Sequence, residues 1–585
     1  VGSPSASSPR SAASTPPTPL AEGDGSGAAR PVRPDTSVPE EDDPGPPGAG
    51  DPAAAEDDSG PDGGAGAVTG REAPSRDGGS TSSTSGEDPG SPAPGGDATC
   101  GPGSGDRHRR VWSRHRYRVG LITAVAALVY ELLGMVRLHT FRATTFDLVI
   151  FDQAVRGYAH FSAPVSPAVG MLNGRGMDYL QLSDHFSPIL AVLAPLYWLR
   201  DGPETLILAQ AVLFALAIPF LWLYARRSLG IGAAYLVAVA YALSWPIAEA
   251  ADFDIHEVAF VPVLTAAMIE RFQARRYLVS FLCMFALLLV KEDMGLAVIG
   301  FGAYLVVTGR RFDGVCVALI GAAWTGLVRG ALIPMLGGDT GDFWAYGHLG
   351  RNAGELIVNI ATHPLQTLAL LVDNEGKVDT LVLLGWPVLF ACLFSPLTLI
   401  AVPHVLERLL SDRPAWWVPD HQYNAFVVAI LLCAGVDGVV RVVRIVRKRW
   451  PGIDGRVATV AWAACVAAIA LTLVPRFGFG QLLHPDFYRR DARAVAAAEA
   501  SALVPSGVVV EAANEIGPAL TARATVIVWG PEARMAPWVV ADVNRPVFPF
   551  NSPEAQRARV GELVQQGYQA VYDREGYVVL RRADR

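Results

Sequence analysis

The stretch TTFDLVIFDQAVRGYAH at residues 144–160, continued by LQLSDHFSP at residues 180–188, decides how this chain folds. It directly follows a long apolar run and sets Asp147, Asp152, Asp184 and His185 among aromatic and aliphatic neighbours. An ionisable group at membrane depth costs about 2.5–3.5 kcal/mol on insertion scales, so such groups mark a pathway or a site. The segment reads as the first outer loop of a polytopic membrane protein. Acids further along the chain are expected to return to the same membrane face.

Composition supports this reading once the chain is divided. Of 585 residues, 51% are hydrophobic and 18% charged, but the polar and apolar parts are segregated. Residues 1–106 hold no aromatic, Ile or Met residue and are rich in Gly, Pro, Ser, Ala and Asp. They bury too little to offset chain entropy and are expected to form a disordered tail. No apolar signal core lies near the start, so the first span is expected to serve as an uncleaved insertion signal. The net charge of −8 is carried partly by this tail. Basic runs flank apolar segments, where topology explains them, and nothing marks a nucleic-acid partner. Of the six cysteines, Cys100 lies in the tail, whereas Cys283, Cys316, Cys392, Cys433 and Cys465 lie in apolar segments. That distribution supports neither a disulfide framework nor a thiolate zinc site.

Charge sets the orientation. RHRRVWSRHRYR at residues 107–118 precedes the first span, Gly120 to Val136, which puts the N-terminus in the cytoplasm and the loop after it outside. Phe186 to Leu199 is too short for a crossing and reads as an interfacial or re-entrant helix. Expected crossings then run through Glu204–Tyr224, Gly232–Trp245, Val258–Ile269, Tyr277–Val290, Met294–Val307 and Val315–Met335. They continue through Leu381–Phe394, Leu397–Leu410, Phe426–Val440 and Val457–Val474, about eleven in all. Glu355 to Val372 reads as an amphipathic helix on the membrane surface. Every basic connector falls on one side, including RVVRIVRKRWPGIDGR at residues 441–456.

From about Asp486 the pattern changes to short β-type runs, VVVEAAN, TVIVWG, WVVADV, YQAVYD and YVVLRR, with a helical stretch from Ser552 to Gln566. The fold class is therefore an α-helical polytopic membrane protein with a small C-terminal α/β extracytoplasmic domain and a disordered N-terminal tail. The divisions are 1–106 for the tail, 107–475 for the transmembrane region with long outer loops 138–203 and 336–378, and 486–585 for the α/β domain. That last domain carries no phosphate loop or nucleophile elbow and reads as a lid or docking element.

Several constellations fall on the outer side. Asp147 is either a helix-capping acid or a general base near the interface. Asp152 sits on a different helix face from Asp147. Asp184 and His185 open a helix before Pro188, or contact a substrate. ADFDIHEV supplies Asp252, Asp254, His256 and Glu257, ligand types that suit either a divalent metal or a hydrogen-bonded network. Lys291, Glu292 and Asp293 form an internally paired turn or contain a phosphate-binding cation. Asp178, Glu407, Arg408 and the HQYN segment beginning at His421 complete the set.

FDLVIFDQAV (146–155), SDHFSPILAVLAPLYWL (183–199), FDIHEVAFVPVL (253–264), LLLVKEDMGLAV (287–298), VLERLLSD (405–412) and VPSGVVVEAANEIGPALTAR (504–523) carry a resemblance. The chain resembles the bacterial membrane-protein family known as domain of unknown function 2079 over about residues 118–583. That family resembles the GT-C glycosyltransferases, polytopic enzymes that take sugars from polyprenyl-phosphate donors. The resemblance implies a GT-C-like fold and an acidic base in the first outer loop, for which Asp147 is the matching position. Leu148 follows Asp147 where the commoner pattern has a second acid, so Asp152 competes for the role.

The implied partners are membrane lipid, a polyprenyl-phosphate-linked sugar and a cell-envelope acceptor hydroxyl, at the outer face of the cytoplasmic membrane. Arg156, His185, Lys291 and Arg408 are then expected to neutralise the departing phosphate. Asp252, Asp254, His256 and Glu257 are expected to shape the sugar pocket or hold a divalent metal, with Asp184, Glu292, Asp293, Glu407 and His421 also binding substrate. A transporter or lipid flippase is the rival from another class, although no internal repeat supports it. A non-catalytic membrane scaffold is the third reading.

Overall fold

The structure, a computed structural model, describes residues 104–583 apart from 340, 342, 343 and 533, with side chains from residue 114 onward. The tail expected at 1–106 lies outside the described residues up to 103, and with it Cys100.

Among the described residues, six helices are long and apolar enough to cross a membrane: Arg114–His139, Pro203–Leu229, Ile231–Asp252, Arg311–Met335, Gln422–Arg449 and Gly455–Arg476. The remaining expected crossings fall on shorter or broken segments. Phe260–Gln273, Tyr277–Leu288 and Gly295–Val307 are continuous but short. Leu381–Phe394 and Leu397–Leu410, expected as an in-and-out pair, do not form two long helices. Glu375–Gly385 gives way to three 3₁₀ turns and then the short helix Val402–Leu409. Pro387, Pro396 and Pro403 each remove a backbone donor, so no continuous helix survives there. The turns lie directly against the Ala425–Arg449 helix, where a Cβ on Gly438 would sit 1.8 Å from the Ala391 carbonyl oxygen. The amphipathic segment is likewise split at His363 and Pro364 into Ala353–Thr362 and Pro364–Leu370. Ile357, Val358, Leu365 and Leu368 are exposed along it.

The hairpin of Gly295–Val307 and Arg311–Leu327 packs backbone to backbone. Gly295 faces Gly321, and Gly302 faces Gly314, each pair so close that an added Cβ would lie 2.4–2.6 Å from the opposite carbonyl oxygen. Small residues at such crossings are how helices pack where no hydrophobic drive separates lipid from leucine.

Charges divide between the two ends of the bundle. At one end Arg227 and Arg271 pair with Glu270, Arg310 with Asp313 and Arg441 with Asp437. At the other, Arg137 pairs with Asp252 and Asp254, Lys291 with Glu257, and His185 with Glu292. The acids singled out above gather at this second end.

The C-terminal unit is a five-stranded sheet of β1 (Val509–Ala512), β2 (Thr525–Val528), β3 (Trp538–Asp542), β4 (Tyr568–Arg574) and β5 (Tyr577–Arg582), in the order β2-β1-β3-β5-β4. β1 runs parallel to β2 and β3, whereas β5 is antiparallel to β3 and β4. Glu575 and Gly576 both take positive φ in the two-residue link from β4 to β5, the backbone that matches strand twist in a tight hairpin. The sheet does not stand apart from the membrane region. Phe141, Val149, Ile150, Ala168, Val169 and Tyr179 of the first loop are buried in the same apolar core as Val510, Val528, Trp529 and Val540.

Replacing Gly302 by Val forces a side chain against backbone and is expected to cost about 1–3 kcal/mol. Gly326, on the Arg311–Leu327 helix, meets nothing within 4 Å, so Gly326→Ala serves as the control. Thermal unfolding in detergent should show a lowered midpoint for the first variant and none for the second; equal midpoints would remove the close-packed hairpin.

Candidate functional site

Asp147 occupies an unusual backbone. It has φ 71° and ψ −68° between the first span and the helix Ile150–Ala159, the geometry of the strained form of the γ-turn. Such strain persists only when surrounding bonds over-determine it, and it clusters at functional sites. Here the bonds come from both sides. Thr144 donates its amide and its hydroxyl to Asp254 Oδ2 at 2.6 and 2.5 Å. Thr145 donates its amide and hydroxyl to the Asn514 carbonyl at 2.6 and 2.9 Å, and the Phe146 amide donates to Asn514 Oδ1 at 3.1 Å. One clamp belongs to the membrane region and the other follows β1 of the C-terminal sheet.

Between them the Asp147 carboxyl projects into a cavity of about 510 Å³. Among the described residues, no hydrogen-bond donor or ion-pair partner is assigned to that carboxyl. Burial, followed by the nearby Glu257 and Asp254 charges, pushes its pKa up to about 8, with Lys291 and His185 opposing them.

The same cavity is lined by Asp184, His185, His256, Lys291, Glu292, Asp293, Glu407 and Arg408, which the structure thereby brings together with Asp147. Lys291 Nζ lies 3.1 Å from Glu257 Oε1. Burial works against its charge, but Glu257, Asp293 and Glu292 outweigh it, and the ammonium is held above its ordinary range. His185 Nδ1 is 2.9 Å from Glu292 Oε1. His256 is kept neutral by burial and by the Lys291 and His185 charges, and packs edge-on to Phe151. Arg408 donates to Asn424 Oδ1 at 3.0 Å.

Other expected residues lie away from the lining. Asp152 is completely buried and accepts from Tyr197 at 2.7 Å and Thr521 at 2.6 Å, with Arg156 at 2.8 Å. It joins the first loop to the C-terminal unit, because a buried carboxylate needs partners. Arg156 is committed to Asp152 and Asp201. Asp252 pairs with Arg137 and accepts from Gln481, and Asp254 holds Thr144. Glu257 lies behind Lys291, and His421 packs against Phe253 while its neighbours Gln422 and Tyr423 reach the cavity. Asp178, exposed, is not part of the lining either. Among the described residues the DFDIHE acids therefore do not form a metal-ligand set; Asp252 and Asp254 turn to Arg137, and Glu257 turns to Lys291.

A different trio does converge. Asp293, His404 and Glu407 each place one ligand atom within 4.8 Å of the others. His404 is buried, among the described residues its Nε2 has no hydrogen-bond partner and so is able to ligate, and the mixed imidazole and carboxylate set suits a divalent ion. His404 was not singled out in the sequence, and neither were Arg329, Arg413 and Trp416, all of which line the cavity. Arg329 carried the signal used elsewhere, a lone charge inside an apolar run.

Together these features define an integral, multi-pass membrane protein with a charged cavity at one end of its helix bundle. Residues 137–579 match the family described as "Predicted membrane protein (DUF2079)", and the chain belongs to that family. No protein of curated function matches it in sequence. Among solved structures, ArnT from Cupriavidus metallidurans, bound to undecaprenyl phosphate, is similar at a TM-score of 0.45 and 12% identity, over 79% of this chain and 97% of that one. The Archaeoglobus fulgidus oligosaccharyltransferase tethered with an acceptor peptide is similar at 0.39 and 11%, over 80% of this chain and 74% of that one. The oligosaccharyltransferase AglB of the same organism, with an inhibitory peptide and a dolichol-phosphate, gives 0.34 and 11% over the same shares. At these scores the likeness carries no inference about the site.

Removing Cβ at position 147 should relieve the strain of this turn. Asp147→Gly is expected to be more stable than Asp147→Ala by about 1 kcal/mol, the strain relieved less the added chain entropy of glycine. A calorimetric midpoint for the glycine variant at or below that of the alanine variant would contradict the strained turn.

Proposed function

We propose that this protein is a membrane glycosyltransferase of GT-C-like architecture, transferring a sugar from a polyprenyl-phosphate donor to an acceptor hydroxyl. The observation that carries the reading is an unpartnered carboxyl, held in a strained turn, sharing one aromatic-walled cavity with Lys291, Arg329 and Arg408. A base and a set of anion-binding cations are the two things such a transfer needs. The donor class follows from the family resemblance carried by the loop motifs.

In this mechanism Asp147 removes the proton from the acceptor hydroxyl. The acceptor oxygen forms its bond to the anomeric carbon as the bond to the phosphate oxygen breaks, with inversion in one displacement. The bonding electrons leave with the polyprenyl phosphate, whose growing negative charge meets Lys291, Arg329 and Arg408. Asp293, His404 and Glu407 would hold a divalent cation, which supplies further positive charge to the cavity when bound. Asp152, with its oxygens engaged by Tyr197, Thr521 and Arg156, positions the loop and takes no proton.

The paired basic turns at the opposite end of the bundle support a cytoplasmic N-terminus, and so an outward-facing cavity in the cytoplasmic membrane with the C-terminal unit beside it. The division into tail, transmembrane region and α/β domain at 1–106, 107–475 and 486–585 belongs to the same proposal, and the acceptor is a cell-envelope hydroxyl.

Purified protein in vesicles, supplied with a panel of polyprenyl-phosphate sugars, is expected to transfer or release sugar. Asp147→Asn should lower turnover by about 10²–10⁴-fold while the protein stays folded. Unchanged turnover removes the base assignment, and movement of lipid-linked sugar across sealed vesicles without bond cleavage favours a flippase. The pH dependence has a defined sign. Asp147, faced by Glu257, Asp254, Lys291, His185 and Tyr423, is protonated and inactive as a base below about 8. kcat/KM should therefore rise about tenfold per pH unit up to that point and level off above it.

A further inference from the structure

The end of the bundle opposite the cavity carries a second concavity, of about 530 Å³, where the helix Pro203–Leu229 ends and the hairpin of Gln422–Arg449 and Gly455–Arg476 turns. Arg444, Arg447, Lys448 and Arg456 line it. All four are exposed, and among the described residues none is assigned an ion pair or a side-chain hydrogen bond. Other basic residues at this end behave differently: Arg227, Arg271, Arg310 and Arg441 are each paired with an acid, whereas Arg275, Arg276 and Arg311, in separate turns, do not line this hollow. The nearest acid in the turn, Asp454, spends its carboxylate on the amides of Arg456 and Val457, capping the next helix. Topology explains why basic residues occur at this end. It does not explain why four of them converge on one hollow with no counter-charge.

The surroundings identify the anion. Val440 and Val443 form part of the wall, and Arg447 lies over Gly455, whose missing side chain leaves the hollow open. Ile445, Trp450 and Val457 are exposed on the same turn. Exposed apolar groups with a Trp beside a cluster of cations are the pattern of the headgroup level of a bilayer, where aromatic rings sit at the interface. Basic pockets between membrane helices at that level bind anionic lipid headgroups.

We propose that this hollow is a binding site for the phosphodiester headgroup of an anionic phospholipid. The cations contact the phosphate, while the acyl chains lie along the apolar flank of the hairpin. The site is separate from the Asp147 cavity and does not depend on the function assigned to that cavity.

The test uses the full chain in vesicles of phosphatidylcholine containing a minor fraction of phosphatidylglycerol, extracted gently and weighed intact by native mass spectrometry. The wild type is expected to retain phosphatidylglycerol well above its share of the bilayer. Arg444→Gln and Arg456→Gln should each lower that enrichment about fivefold, the effect of roughly one surface charge, and the double variant should abolish it. Arg449→Gln, on the same helix but outside the hollow, should leave it unchanged. Enrichment that survives in the double variant, or falls equally in Arg449→Gln, would overturn the site. Displacement of the lipid by millimolar inorganic phosphate would assign the hollow to a soluble anion and overturn the lipid reading. The single variants keep the question decidable should the double variant fail to fold.

Discussion

The structure depends on the two clamps that hold residues 144–146. Asp254, between two membrane helices, takes both donors of Thr144, and Asn514, at the end of the first strand of the C-terminal sheet, takes the donors of Thr145 and Phe146. The two clamps flank the turn in which Asp147 adopts φ 71° and, among the described residues, faces the cavity without a partner. The tight fit at Gly517, where a Cβ would lie 2.0 Å from Thr145 Oγ1, shows how closely the sheet domain is set against this loop. The C-terminal unit is therefore a structural component of the site, and its apolar core continues into the first loop.

Around that constraint the buried charges sort into two kinds. Asp152, Asp252, Asp254, Glu257 and Glu270 are matched by cations or donors and serve to connect elements. In such pairs the Coulombic gain mainly offsets the cost of leaving water, so they add little net stability while removing one partner would strand a buried charge. Among the described residues Asp147 has no such partner and His404 Nε2 has none. Unmatched polar atoms in a cavity lined by Lys291, Arg329 and Arg408 are the places where a ligand would complete the charge balance.

Much of this was legible in the chain. The short β-type runs after Asp486 each became a strand, and the basic connectors collected at one end because each closes a hairpin at that end. The gathering of Asp147, His185, Lys291 and Arg408 followed from reading charges at membrane depth as a common rim. What escaped was pairing. Nothing local distinguishes Asp152 from Asp147; the difference is Thr521 and Tyr197, the former brought in from a distant part of the chain. The DFDIHE acids looked like one ligand set because adjacent residues share a sequence position, whereas their side chains diverge to Arg137 and Lys291. Residues 381–410 looked like two spans by hydropathy alone, and three prolines broke them. Arg329 and His404 are single polar residues inside apolar runs, where the average hydropathy of the run hides them.

The central claim is that the first loop and the C-terminal sheet lie together on the outer side of the membrane, opposite the basic turns. Single cysteines at Phe161, Val571 and Trp450, all exposed, placed in a background lacking native cysteines and treated in intact cells with a membrane-impermeant maleimide, test it directly. Labelling at 161 and 571 without permeabilisation, and at 450 only after it, is the result expected. Labelling of 161 and 571 from opposite sides, or of 450 from outside, would contradict the shared site.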